Sequence, residues 1–66
     1  MTTIGEQRVR VGFHPTKDKQ VADIEINSAY LIDMCERLKE REPRLAALAQ
    51  TAYEEAAMWA VKAATA

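Results

Sequence analysis

The sequence is poor in the residues that small proteins use as staples. Its 66 residues hold one cysteine, Cys35, so no disulfide can close within the chain. That cysteine and a single histidine, His14, are too few for a structural zinc site, which draws mainly on those two residue types. Gly5 and Gly12 are the only glycines, which excludes a glycine-rich phosphate loop. No apolar run approaches the roughly 20 residues that cross a bilayer. The opening Met1-Thr2-Thr3-Ile4-Gly5-Glu6 has no apolar stretch of the secretory kind. Charge of one sign is lacking too. Nine basic and ten acidic residues leave a net charge of -1, and a bulk electrostatic case for duplex nucleic acid fails. The expectation is a cytoplasmic chain in which Cys35 stays reduced.

A chain of this length buries only about 60% of the surface its unfolded form exposes. With no disulfide and no metal to add stability, partner subunits are the remaining route. Residues 1–17 read as an extended arm. Val9, Val11 and Phe13 alternate with Arg8, Arg10 and Gly12, the period of an extended segment. Pro15 holds His14 away from helical geometry. The arm is basic, with Arg8, Arg10, Lys17 and Lys19 against Glu6 and Asp18, enough to hold a small anion.

The second part, residues 18–66, reads as a helical hairpin. A first helix begins near Thr16 or Asp18, either of which can cap it. Val21, Ile24, Ser28, Leu31, Cys35 and Leu38 recur at alternating spacings of three and four, one face of a helix, with Ile32 and Met34 widening it. Asp33 precedes Arg37 by four residues, a favourable pair. A charged stretch then leads to Pro43, which suits the first position of a new helix. A turn at residues 40–42 makes the two helices antiparallel neighbours. Between Arg44 and Ala66, 16 of 23 residues are apolar and ten of them are alanine. Leu45, Ala49, Ala52, Ala56, Trp59, Ala63 and Ala66 form one stripe. Leu48, Tyr53, Ala57, Ala60 and Ala64 form another. A helix apolar round most of its circumference is buried on several sides, and one partner helix covers only one. The fold expected is therefore all-α: an antiparallel two-helix hairpin with an extended N-terminal arm, assembling into a helical homo-oligomer.

Nothing in the pattern supports catalysis. A nucleophilic triad would have to use His14. Cys35 lies on an apolar face, where it reads as a small core residue rather than a reactive thiol. Glu54 and Glu55 read as exposed helix charges, Met58 and Trp59 as packing residues. Phe13, an aromatic on an arm, reads either as a staple between subunits or as a stacking platform for a flat ligand.

Three stretches carry a resemblance. They are Val11-Gly12-Phe13-His14-Pro15, then Ala29-Tyr30-Leu31-Ile32-Asp33-Met34-Cys35, and, most specific, Arg44 followed by Leu48-Ala49-Gln50-Thr51-Ala52-Tyr53-Glu54-Glu55-Ala56-Ala57-Met58-Trp59-Ala60. Over residues 8–66 the chain resembles the helical-hairpin domain of phage anti-CBASS and anti-Thoeris sponge proteins, which sequester the cyclic nucleotide signals of bacterial defence. The resemblance implies a homohexamer or a similar assembly in the host cytoplasm, without enzymatic activity or cofactor. It implies cyclic dinucleotides held between paired protomers and, in some members, cyclic trinucleotides at three-fold axes. By position Phe13, within the aromatic-His-Pro element that includes His14, takes the base-stacking role. Ser28 matches a small hydroxyl position, Arg44 the arginine that opens the second helix, and Arg10 supplies charge for a phosphodiester. The basic residue that the family carries early in the first helix falls here on Glu25. Either Arg10, Lys17 or Lys19 replaces it, or the dinucleotide pocket is altered. The C-terminal Ala-Ala-Thr-Ala also lacks the basic tail of some members. Two other readings stand beside this one: a ligand-free oligomerisation module, and a small regulator that holds nucleic acid through its basic arm.

Overall fold

The computed structural model describes residues 2–9 and 19–66, and within them the chain is all-helical. α1 spans Ile4–Val9, α2 Lys19–Leu38 and α3 Pro43–Ala64. The hairpin of α2 and α3 is the one the sequence predicts. Its turn is closed by the Glu42 amide donating to the Leu38 carbonyl at 2.9 Å. Pro43 opens α3 with Glu42 as its N-cap, the position where a missing amide hydrogen costs nothing.

α1 corrects the reading of residues 1–17 as extended. Residues 4–9 are helical, and the cause is local. The Thr3 hydroxyl accepts from the Glu6 amide at 3.1 Å, and the Glu6 carboxylate accepts from the Thr3 amide at 3.1 Å. This is the reciprocal capping box of a Thr-x-x-Glu sequence, carried by Thr3-Ile4-Gly5-Glu6 just ahead of the alternation that begins at Arg8. The rest of the expected arm, the caps at Thr16 and Asp18, and the boundary between arm and hairpin lie outside the described residues.

α1 docks on α2 at Gly5, its one buried residue. The Gly5 amide donates to Asp33 Oδ1 at 2.7 Å, so Asp33 serves α1 rather than its expected partner Arg37. A Cβ at Gly5 would overlap the Ala29 carbonyl and lie 2.8 Å from Asp33 Oδ1. Gly5→Ala gains up to about 1 kcal/mol of helix propensity, but overpacking against a fixed carbonyl costs about 1–3 kcal/mol. The expected outcome is that α1 lifts away. Fast amide exchange at residues 4–9, with α2 and α3 still protected, is the measurement. Unchanged protection at those amides would refute the account.

The core is narrow: Val21, Ala29, Ile32 and Cys35 from α2 meet Ala46 and Ala57 from α3, with Gln50 fully buried among them. Ile32, also fully buried, contributes about 1.5–3 kcal/mol by leaving water. Cys35 is buried, as expected. The predicted α2 stripe is rotated, however. Val21 and Cys35 stay in the core while Leu31 and Leu38 are exposed. The buried face must serve α1 and α3 together, and Ala29, under Gly5, brings α1 close where a larger residue would not.

On α3 the stripe of Leu45, Ala52, Ala56, Trp59 and Ala63 points away from α2 and is exposed. Met58 and Trp59, read as packing residues, therefore lie outside the core, and Trp59 is 56% exposed. Its ring lies 5.6 Å from Lys62 Nζ, a cation–π contact. No helix among the described residues is long and apolar enough to cross a membrane.

Candidate ligand-binding site

Of the five residues singled out by sequence, Arg10, Phe13 and His14 lie outside the described residues, as does Lys17. Ser28 and Arg44 are placed. Ser28 is half-buried on α2 and lines a shallow groove of about 590 Å³ with Lys19, Gln20, Asp23, Asn27 and Leu31. The groove offers amides, a hydroxyl and an ammonium on an apolar floor, a set that can meet base edges and a phosphate. Lys19 Nζ donates to Asp23 Oδ2 at 3.0 Å across one helical turn. The pair is exposed, so it is weak and opens readily to a competing anion.

Arg44 stands exposed in the first turn of α3. That turn contains no acidic residue, and Glu42 makes no side-chain cap. The Arg44 guanidinium has no hydrogen-bond or ion-pair partner among the described residues. A cation there is held against the positive end of the helix dipole, the end that attracts anions. Ser28 is ten residues up α2 from Leu38, about 15 Å at the helical rise. The hairpin thus keeps Ser28 and Arg44 in separate places.

Glu25 faces a different groove from Ser28. That groove, of about 630 Å³, runs between the three helices and is lined by Arg8, Val9, Glu54, Met58 and Lys62 as well.

A polar network crosses the hairpin beside it. Gln50, with no exposed surface, donates from Nε2 to the Ile32 carbonyl at 3.1 Å and to Glu36 Oε1 at 2.9 Å. Its Oε1 accepts from Arg8 Nη1 at 3.4 Å. Arg8 also donates through Nε and Nη2 to Glu54 Oε2, at 3.0 and 2.9 Å. Glu54 is therefore half-buried and paired, which corrects its reading as a solvated charge. Neither Arg8, Gln50 nor Glu54 stood out in the sequence as a network. One signal was present: Gln50 falls four residues after Ala46 and seven before Ala57, a polar residue in register with the buried face.

The hydrogen bond from Gln50 holds the Glu36 carboxyl below its ordinary pKa, helped by the bond from Lys39 and by the charges of Lys39 and Arg8. A folded-state pKa below the unfolded value stabilises the fold above the usual carboxylate range. That contribution is lost as pH falls through the lowered value. Acid titration of wild type against Glu36→Gln should show the difference between them shrinking below about pH 4. A constant difference down to strong acid would contradict it.

A short capped helix laid on an antiparallel hairpin, joined to it by a polar network and leaving several large apolar residues turned outwards, makes a small all-helical domain. The model of the Acb2/Tad1 hairpin domain matches residues 4–65. The chain belongs to that family, the cyclic-nucleotide sponges of phage anti-CBASS and anti-Thoeris systems, which is a family of ligand-binding proteins rather than enzymes. No curated protein and no solved structure matches the chain.

Proposed function

We propose that the protein is a phage-encoded sponge that sequesters cyclic di- or trinucleotide immune signals in the host cytoplasm without cleaving them. The observation that carries this reading is the family match. It runs over residues 4–65 and so takes in the aromatic-His-Pro element, Ser28 and Arg44 together. Phe13 stacks on a base, with His14 beside it. Arg10, Lys17 and Lys19 meet the phosphodiester charge, Ser28 adds a hydroxyl, and Arg44 serves a separate trinucleotide site.

Assembly into a homo-oligomer, a hexamer by analogy with the family, supplies the missing half of each site. Two observations support it. Leu45, Leu48 and Trp59 are each more than half exposed in the subunit, a load of apolar surface that association relieves. The Ser28 groove is also shallow and open to a facing protomer. The same exposure suits a ligand-free oligomer, so only ligand capture separates the two.

The deciding experiment is recovery of intact ligand. The protein is mixed with cyclic di- and trinucleotides, freed of unbound nucleotide and heat-denatured, and the released material is identified. Unchanged nucleotide supports the sponge. Hydrolysed product or no retention rejects it. Phe13→Ala should weaken cyclic dinucleotide binding by about 1–3 kcal/mol, the worth of one base–aromatic stack, with the oligomer preserved. Phe13→Tyr should bind as wild type. Loss of the oligomer in Phe13→Ala, with affinity per folded subunit unchanged, would make Phe13 a staple instead.

A further inference from the structure

α1 is held in a different way from the two long helices. The hairpin closes on an apolar seam, with Ile32 fully buried and Val21, Cys35, Ala46 and Ala57 around it. α1 has six residues and buries only Gly5, so apolar burial adds little to its docking. Its short ties to the hairpin end on carboxylates. The Gly5 amide donates to Asp33 Oδ1 at 2.7 Å, and Arg8 donates through Nε and Nη2 to Glu54 Oε2 at 3.0 and 2.9 Å. The other contacts of Arg8 are longer, at 3.4 Å to Gln50 and 3.5 Å to Thr51. We propose that α1 is an acid-opened clasp. It releases from the hairpin as pH falls through the carboxylate range, while α2 and α3 stay paired. The clasp is independent of the sponge reading.

The charges that face these ties come from all three helices. On α1, Glu6 shares a small hollow with Asp33, and Arg8 meets Glu54. On α2, Arg37 stands four residues after Asp33, Glu25 lines the groove that Glu54 borders, and Glu36 is bonded to Gln50 and Lys39. On α3, Glu55 and Lys62 line the same groove as Glu54. The arginines and lysines stay charged throughout the acid range. Protonation therefore removes the acceptors' charge and leaves the cations. Hydrogen bonds to an ionised acceptor are roughly twice as strong as neutral ones. Docking of α1 is thus complete while Asp33 and Glu54 are ionised, and it is lost as they take up protons. The hairpin responds less. Its apolar seam does not titrate, and the hydrogen bonds from Gln50 and Lys39 hold the Glu36 carboxyl below its ordinary pKa. The Gln50–Glu36 tie between α3 and α2 persists deeper into acid for that reason. Opening takes Arg8 and Val9 out of the wall of the groove between the three helices.

The test is amide exchange on the full-length chain from about pH 7 to about pH 3, the span of carboxylate titration. Protection factors cancel the direct effect of pH on exchange chemistry. In wild type the Gly5 amide and the other amides of α1 should lose about tenfold or more in protection, the worth of one hydrogen bond to a charged group. The amides of α2 and α3 should keep theirs. The double variant Asp33→Asn with Glu54→Gln offers neutral acceptors at every pH. Its α1 should already be open at neutral pH and should not respond further to acid. Glu6→Gln keeps a Thr-x-x-Gln capping box and should respond to acid as wild type does, which separates release of the clasp from fraying of the α1 cap. Where the double variant does not fold, each single change should lower α1 protection at neutral pH and shrink the acid response. Three results would overturn the clasp: α1 protection that is flat with pH in wild type, an undiminished acid response in the Asp33 and Glu54 variants, or loss of protection in α1 and the hairpin in step.

Discussion

Gln50→Ala should lower the stability of the fold by about 2–5 kcal/mol, the range for emptying a fully buried side-chain site of this size. Three losses add up. The side chain leaves a cavity beside Ile32, the other fully buried large residue. The Ile32 carbonyl and the Glu36 carboxylate lose a donor. Arg8 loses its Gln50 contact and keeps only Glu54 and Thr51. In a domain of this size each kcal/mol moves the melting temperature by about 4–8 °C, so the effect is large on any thermal scan at fixed subunit concentration. Gln50→Leu separates volume from polarity. It refills most of the space but strands the groups that Gln50 served, each at about 1–3 kcal/mol where water cannot replace it. Arg8 and Glu36 both reach solvent, so leucine should recover part of the loss. A Gln50→Ala protein within about 0.5 kcal/mol of wild type, the range of an ordinary surface change, would mean that the network does not hold the three helices together.

Gln50 also marks the limit of what periodicity reveals. The hairpin, its turn and Pro43 were legible because helix period, charge and proline chemistry agree there. The burial of Cys35 followed from its place on an apolar face. The rotation of the α2 face was not legible, since Ile24, Leu31 and Leu38 are as apolar as Val21, Ile32 and Cys35. Which stripe is buried depends on α1, and α1 was masked by an alternation that starts at Arg8. A Thr-x-x-Glu capping box at Thr3 would have placed it. The outward stripe of α3 was legible as an excess of apolar surface, but not as the side that α2 leaves uncovered.

The site divides in the same way. Ser28 and Arg44 are placed on separate parts of the hairpin, and their assignment came from the resemblance of particular stretches, not from pattern. Glu25, on which the resemblance places the family's basic residue, lies in the groove that Arg8, Glu54 and Val9 share, away from Ser28. Arg8 carried no mark at all in the sequence beyond its charge. Its partners are more than 40 residues away in α3, and no local spacing relates them.

Arg44→Ala should abolish cyclic trinucleotide binding, a loss of at least about a hundredfold or ~2.7 kcal/mol, while the oligomer stays intact. The reason is a charge that the fold itself does not use. Arg44 has no partner among the described residues and no acid shares its turn. Against the helix dipole it costs the fold about 0.3–1 kcal/mol. Removing it should therefore leave folding stability unchanged or slightly raised, opposite in sign to its effect on binding. A ligand phosphate at this turn meets both the guanidinium fork and the free amides of the helix N-terminus, which together account for the size of the loss. Arg44→Lys keeps the charge and gives up the fork, so it should retain weak binding that fades as salt rises. Titration of cyclic tri-AMP into wild type, Arg44→Ala and Arg44→Lys, with light scattering on each, makes the measurement. Equal affinity in all three would remove Arg44 from the site. Loss of binding together with loss of the oligomer would place it at a subunit contact instead.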